Sequence, residues 1–249
     1  MSAASTYFVS GASRSLGLGY VRTLLESSPD VRVVAGVRNP SNASQLDALA
    51  ALPANQGRVH IVAFDVDSED SVKQAAEKLK SDPFLPNGAL DAVIVNAGVF
   101  VGGFNPPSAF SVEDYRANFR TNVEGAIFTA QYLLPLLRKG RAKQVFFISS
   151  IVGSLAGPVS QSPGGVAYAM SKVALNMYGV KLGRELGPES FTVVLLHPGY
   201  VQTDMNAFNK GGDITTEEAV SKATKYVFLA ATPEWNCRFV DYEGKPMDW

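Results

Sequence analysis

The chain has 249 residues, 46% hydrophobic and 18% charged, with a formal net charge of −1. This suits a sizeable core and excludes a disordered chain, and with no basic block it leaves nucleic acid and anionic membranes as unexpected partners. Cys237 is the sole cysteine, and His60 and His197 are the only imidazoles, so an intrachain disulfide, a cysteine-cluster metal site and a multi-histidine zinc centre are all excluded.

Residues 6–10 read as a first strand, and GASRSLGLG (11–19) as a Gly/Ser turn opening a helix that runs to Leu25. Residues 31–37 (VRVVAGV) form a second strand, 41–52 a helix, and 59–64 a third strand ending at Asp65. A helix is expected over 68–80 with Ser68 as N-cap. A fourth strand covers 90–95, a long helix 111–138, a fifth strand 144–149 (QVFFIS), a second long helix 166–186 and a sixth strand 192–196. A helix over 216–230, capped by Thr215 or Thr216, and a last strand over 238–242 complete the series.

Several strands are unbroken apolar runs, as in strands covered by helices on both faces. Strand–helix alternation implies right-handed crossovers and a parallel sheet. The expected fold is α/β: one domain over 1–249, with a doubly wound, mostly parallel sheet of about seven strands. No apolar run reaches the ~18 residues of a membrane span, and MSAASTYFVSG enters a strand with no signal core, so a soluble, cytoplasmic setting is expected.

The chemistry-bearing residues gather at one end of this pattern. The glycine turn follows a strand and opens a helix, where backbone and helix N-terminus can receive a diphosphate. It is not a P-loop, because no Lys-Ser/Thr follows. Open parallel sheets bind ligands at the carboxyl ends of their strands. Those ends carry the glycine turn, Arg38, Asp65-Val66, Asn96-Ala97-Gly98, Ser149-Ser150 and His197-Pro198-Gly199.

Tyr168 and Lys172, four residues apart in YAMSK, share one helical face about 6 Å apart along the axis at ~1.5 Å per residue. An ammonium beside a phenol favours the phenolate, and a serine hydroxyl can hold a substrate oxygen beside both. The alternative is a snorkelling lysine beside a half-buried tyrosine.

Seven short motifs in order resemble the short-chain dehydrogenase/reductase family over essentially the whole chain: SGASRSLG at 10–17, Asp65-Val66, NAG at 96–98, Asn122-Val123, ISS at 148–150, YAMSK at 168–172 and HPGYVQTDM at 197–205. The ending RFVDYEGKPMDW and the long insert before Tyr168 resemble the C-factor and sniffer-like carbonyl reductase branch. VRNP and HPGYVQTDM resemble fungal ketoreductases of aromatic polyketides. Two features depart from the pattern. Ser15 stands where the family usually has glycine, and the Ser150-to-Tyr168 gap is longer than is common.

The resemblance implies a Rossmann fold and a set of roles. Tyr168 is the general acid, Lys172 lowers its pKa and bonds the nicotinamide ribose, and Ser150, with Ser149 as the alternative, holds the carbonyl oxygen. Asn122 kinks the long helix and holds a relay water, or is a kink residue without chemistry. Gly11, Ser13, Arg14, Ser15, Leu16 and Gly17 receive the coenzyme. Asp65 and Val66 take its adenine, or Asp65 only ends the strand. Asn96, Ala97 and Gly98 border the ribose, and Pro198, Gly199, Val201 and Thr203 hold the carboxamide and diphosphate. His197 is read as structural, and Met170 and Met177 as packing residues.

The second strand ends in Gly36-Val37-Arg38-Asn39 without the acid that would bond a ribose 2′-hydroxyl, and Arg14 is a second cation in reach. Arginine suits a 2′-phosphate, so NADPH/NADP is the expected coenzyme. The expected activity is reduction of a ketone or aldehyde. An oxidising alcohol dehydrogenase is disfavoured by the absent acid, and a non-catalytic sensor by the presence of both Tyr168 and Lys172. Phe100, Phe104, Leu155, Val159, Met205, Asn206 and Phe208, from loops after strands four to six, suggest an apolar or aromatic substrate, a polyketide-type ketone among the candidates. The loop 201–213, with Gly211-Gly212 as hinge, is expected to act as a lid. In the family the long helices at 111–138 and 166–186 often pair between subunits, as in a homodimer or homotetramer, yet the carbonyl reductase branch includes exceptions, so the resemblance leaves the oligomeric state open.

Overall fold

In the computed structural model the described residues are 5–157, 161–203, 205 and 212–249. Seven apolar strands, β1 (Thr6–Ser10), β2 (Arg32–Val37), β3 (Val59–Ala63), β4 (Ala92–Val95), β5 (Gln144–Ile148), β6 (Thr192–His197) and β7 (Arg238–Asp241), pair in parallel in the order β3-β2-β1-β4-β5-β6-β7. The order reverses between β1 and β4, where Val9 pairs with Ala35 on one side and Ile94 on the other. That reversal opens a crevice at the strand carboxyl ends.

Because successive side chains leave a strand on opposite faces, each strand feeds two cores. Val9, Val33, Ala35, Ile94, Phe146 and Val194 pack on one face with α1 (Ser15–Ser27), α2 (Ser44–Ala50) and α7 (Thr216–Ala223). Phe8, Val34, Val93, Val95, Phe147 and Leu195 pack on the other with α3 (Glu69–Leu79), α5 (Gly125–Leu137) and α6 (Val166–Leu186). The doubly wound Rossmann architecture is as expected.

Three helix starts carry side-chain caps. The hydroxyls of Ser68, Ser111 and Thr215 accept from the N–H of Ser71, Asp114 and Glu218. Three expected helices are interrupted. The 41–52 stretch is a 3₁₀ turn, Pro40–Asn42, followed by the shorter α2. The 216–230 stretch is α7 followed by a π turn, Thr224–Phe228.

The 111–138 stretch is α4 (Val112–Phe119), a π segment, Arg120–Glu124, and α5. The N–H of Gly125 reaches back five residues to the carbonyl of Arg120. The π segment carries the buried Asn122, whose side chain meets Val99 and Ser171. Such bulges recur at functional sites.

Candidate active site

The glycine turn is locked to the end of β4. The Ser10 hydroxyl oxygen accepts from the N–H of Asn96 at 3.0 Å and of Ala97 at 3.1 Å, while the Asn96 amide donates to the carbonyls of Ser10 at 3.0 Å and Gly11 at 3.3 Å. Gly11 has φ +65°, and a Cβ there would stand 3.0 Å from Ala97 Cα. A Cβ on Gly17 would lie 2.1 Å from the Gly11 carbonyl oxygen.

This backbone, bare at Gly11 and Gly17 and leading into the N-terminus of α1, fits a dinucleotide diphosphate. Ser13 and Leu16 are partly buried beside it, and Arg14, exposed, occupies the N-cap position. Ser15 has φ +49°. That left-handed backbone disfavours a side chain by roughly 1–2 kcal/mol, which gives the physical reason glycine suits the position.

At the ends of β2 and β3 the arrangement is looser. Arg38, 69% exposed, has its Nε 3.7 Å from Asp65 Oδ1 and an Nη2 3.9 Å from Asp67 Oδ2. Asp65 Oδ1 also accepts from the N–H of Asp67 at 3.1 Å, and Thr121 Oγ1 donates to Asp67 Oδ1 at 2.7 Å. Val66 is buried against Gly125, where a Cβ would lie 2.9 Å from the Val66 carbonyl oxygen.

The other end is buried and ordered by α6. Tyr168 and Lys172 lie on its inner side, with Lys172 Nζ 5.5 Å from the Tyr168 ring centroid and donating to the Ile148 carbonyl at 2.9 Å. Burial pushes the Tyr168 phenol up to about 12, and a hydrogen bond with Ser150 works against that rise. Burial brings Lys172 down to about 8. The net direction for the phenol is opposite to the depression expected from Lys172. Lost hydration of the phenolate dominates, and the lysine sits at the ring face with its hydrogen bond directed to Ile148. A phenol in this state carries its proton at neutral pH.

Asn122 accepts from the N–H of Val99 at 2.8 Å and donates to the Val99 carbonyl and to Ser171 Oγ, both at 2.9 Å. Ser171 in turn donates to the Tyr168 carbonyl at 2.7 Å. Asn122 and Lys172 flank Gly98: a Cβ there would lie 3.2 Å from Asn122 Oδ1 and 3.7 Å from Lys172 Nζ. The bare backbone at Gly98 leaves the approach to Lys172 clear, which suits the nicotinamide ribose.

After β6, Gly199 has φ +92°, and a Cβ there would meet Ile214 Cδ1 at 2.5 Å. The adjoining Pro198 is partly buried, as is Thr203. Val201 is buried and bridges Ile214. The N–H of Gln202 donates to the Ile214 carbonyl at 3.0 Å and that of Asp213 to Tyr200 at 2.7 Å, closing the base of the expected lid. Most of that loop, with Gly211, lies outside the described residues.

Among the expected substrate residues, Phe100 packs on Tyr168 with centroids 5.1 Å apart and on Phe104 at 5.4 Å. Phe104 and Leu155 are 61% and 76% exposed, and Met205 is partly buried. Val159, Asn206 and Phe208 lie outside the described residues. Met170 and Met177 do not pack as expected. They project from the outer side of α6, 43% and 58% exposed, because its inner side is taken by Leu175, Gly179 and Leu182. His197 is neutral at pH 7, burial bringing it down to about 4.

Three residues at the site are given no role by the sequence. Ser10 locks the glycine turn, as above. Asn118, one turn before Asn122, accepts from the N–H of Val101 at 3.3 Å and donates to its carbonyl at 3.0 Å. The two asparagines thus grip Val99 and Val101 and leave Phe100 against Tyr168; their i,i+4 spacing was the available signal. Asn176, four residues after Lys172, holds the end of β5.

A model described as short chain dehydrogenase matches residues 5–222. An uncharacterized oxidoreductase of Saccharomyces cerevisiae is 34% identical over 260 residues, covering 96% of this chain and 95% of that protein. The carbonyl reductase Sniffer of D. melanogaster superposes with a TM-score of 0.87 at 27% identity, over 99% of this chain and 100% of that one. A carbonyl reductase from chicken fatty liver, with NADPH bound, gives 0.85 at 29% identity over the same shares.

Proposed function

The chain belongs to the short-chain dehydrogenase family, and on that premise we propose that it is an NADPH-dependent carbonyl reductase, converting a ketone or aldehyde to the alcohol. The observation that carries the reading is the Tyr168 phenol, hydrogen-bonded with Ser150 and lying beneath Lys172 at the end of a cleft that begins at the glycine turn.

Gly11 to Gly17 would receive the diphosphate, Asp65 and Val66 the adenine, Arg38 and Arg14 the 2′-phosphate, and Lys172 the nicotinamide ribose. Asn96, Ala97 and Gly98 would border the adenosine side, and Pro198, Gly199, Val201 and Thr203 the carboxamide. Bound there, NADPH supplies a hydride to the carbonyl carbon.

Ser150 holds the carbonyl oxygen, and Tyr168 gives that oxygen its proton as negative charge develops there. A phenol kept protonated by burial is in the right state for this step, since a general acid must carry its proton when the charge appears. Lys172 returns a proton to Tyr168 after turnover, through a relay water held beside Asn122. Phe100, Phe104 and Leu155 favour an apolar or aromatic carbonyl compound, polyketide-type ketones included. The exposed outer side of α6, with Met170 and Met177, supports a homodimer or homotetramer, and a cytoplasmic setting suits the coenzyme.

The test is incubation with NADPH or NADH and a panel of aromatic and aliphatic carbonyl compounds, following coenzyme absorbance and identifying the alcohol. NADPH consumption matched by alcohol formation is expected. Consumption of neither coenzyme across the panel, in protein that binds NADPH, would favour a sensor over an enzyme.

A further inference from the structure

Residues 148–153, which carry Ser150, are fastened to α6 at three points. Lys172 Nζ donates to the Ile148 carbonyl at 2.9 Å, Ser149 Oγ donates to Asn176 Oδ1 at 2.5 Å, and Asn176 Nδ2 donates to the Gly153 carbonyl at 3.0 Å. Ser149 and Asn176 are 2% and 3% exposed, so water does not compete for these bonds. The orientation of the amide follows from its partners. A carbonyl can only accept, so Nδ2 faces Gly153 and Oδ1 is left for the serine hydroxyl.

The loop lies directly on the helix. A Cβ on Gly153 would stand 2.9 Å from both Asn176 Nδ2 and the Lys172 carbonyl carbon. Ser150 follows the first gripped position and, with Ile151 and Val152, lies between the two. It begins the turn Ile151–Gly153, accepts from the N–H of Val152 at 3.4 Å and bonds the Tyr168 phenol. Asn176 touches neither Ser150 nor Tyr168 through any of these bonds, yet it fixes the backbone on both sides of Ser150.

We propose that Asn176 is a positioning residue: its two-sided grip on Ser149 and Gly153 aims the Ser150 hydroxyl at the carbonyl oxygen. The inference rests on the role given to Ser150 above. Loss of the grip lets residues 149–153 shift, and a misplacement of about 1 Å can cost up to ~10²-fold in turnover. Coenzyme binding is unaffected, because the two bonds made by Asn176 reach only Ser149 and Gly153 and leave the Lys172 fastening in place. Lys172 still ties Ile148 when Asn176 is removed, so the strand end stays in register.

The experiment is a double-mutant cycle in the full chain, with kcat on a reduced carbonyl compound and the NADPH dissociation constant measured for wild type, Asn176→Ala, Ser150→Ala and the pair. Asn176→Ala is expected to lower kcat by roughly 10- to 10²-fold with NADPH binding within about twofold, and to cost less than about twofold when Ser150 is already alanine. Ser149→Ala, which removes one hydroxyl from the same grip, runs the same cycle if Asn176→Ala does not fold, and is expected to show the same dependence on Ser150. A loss of equal size in both backgrounds overturns the proposal, since general loosening of the fold would not need Ser150. Unchanged kcat in Asn176→Ala overturns it also. If Ser150→Ala alone leaves kcat unchanged, the role of Ser150 fails and this inference falls with it. If Ser150→Ala is slow and the second substitution multiplies the loss, only the inference about Asn176 fails.

Discussion

At the β5 end of the cleft, Lys172 and Asn176 are buried, and each donates to a backbone carbonyl within 3.0 Å. At the β2 end, Arg38 is 69% exposed and faces two carboxylates at 3.7 and 3.9 Å. The contrast matches two tasks. Proton transfer needs fixed angles, and hydrogen bonds shielded from water hold them. Recognition of a dianionic phosphate needs mainly charge of the right sign, and a mobile guanidinium near the surface supplies that, weakened by salt. Substitutions at the buried end should therefore change turnover steeply, while those at the exposed end should change coenzyme preference modestly.

The largest effect is expected at Lys172. Lys172→Ala should lower turnover by about 10²-fold or more and also weaken NADPH binding, read by steady-state kinetics and by titration of coenzyme fluorescence. The same group sets the pH dependence. With Lys172 brought down to about 8 and Tyr168 pushed up to about 12, the lysine loses its charge first. Reductive kcat in the wild type should fall as pH rises through about 8, and Lys172→Ala should lose that inflection. A wild-type profile without a fall there would remove Lys172 from the proton path.

At the exposed end, Arg38→Ala should weaken NADPH binding roughly tenfold, from loss of charge-assisted bonds of ~1.5–3 kcal/mol partly screened by solvent, and leave NADH nearly unchanged. Adding Arg14→Ala should deepen the NADPH loss. Equal losses for both coenzymes would show that neither arginine reads the phosphate. The smallest effect is expected at Asp67. Asp67→Asn keeps an oxygen for the Thr121 hydroxyl while removing one of the two negative charges beside Arg38. NADPH affinity should rise by about two- to fivefold at low salt, the gain shrinking as salt is added. Weaker NADPH binding would mean that Asp67 holds Arg38 in its working position.

The difference between the two ends also explains what the sequence made legible. The parallel sheet and its two-faced cores follow from the strand–helix alternation and the apolar runs, because a strand covered on both faces needs few polar positions, whereas the strand order comes only from the fold. Tyr168, Lys172 and Ser150 stood out by spacing along one helix and at one strand end. The π segment around Asn122 was foreshadowed only as a kink implied by the family resemblance, since a shifted hydrogen-bond register leaves the hydrophobic period almost intact. The grips of Asn118 and Asn176 were hidden for a related reason. The i,i+4 spacing of Asn118 and Asn122 marks a shared helix face, but the chain that a buried amide bonds, Val101 or Gly153, is known only from the fold. The left-handed backbone of Ser15 likewise appears only in the fold. Arg38 was legible as a cation without an acid on its own strand, yet its neighbours Asp65 and Asp67 come from the end of β3 and required the register of the sheet.

The Tyr168 phenol is the proposed proton donor, and its most direct test is a single turnover of Tyr168→Phe loaded with NADPH and mixed with a carbonyl compound that the wild type reduces. The ring and its packing on Phe100 remain, so coenzyme binding should stay within about twofold while the carbonyl reduction step slows by at least ~10²-fold, the scale of general acid catalysis. Reduction at close to the wild-type rate in this variant would contradict the mechanism.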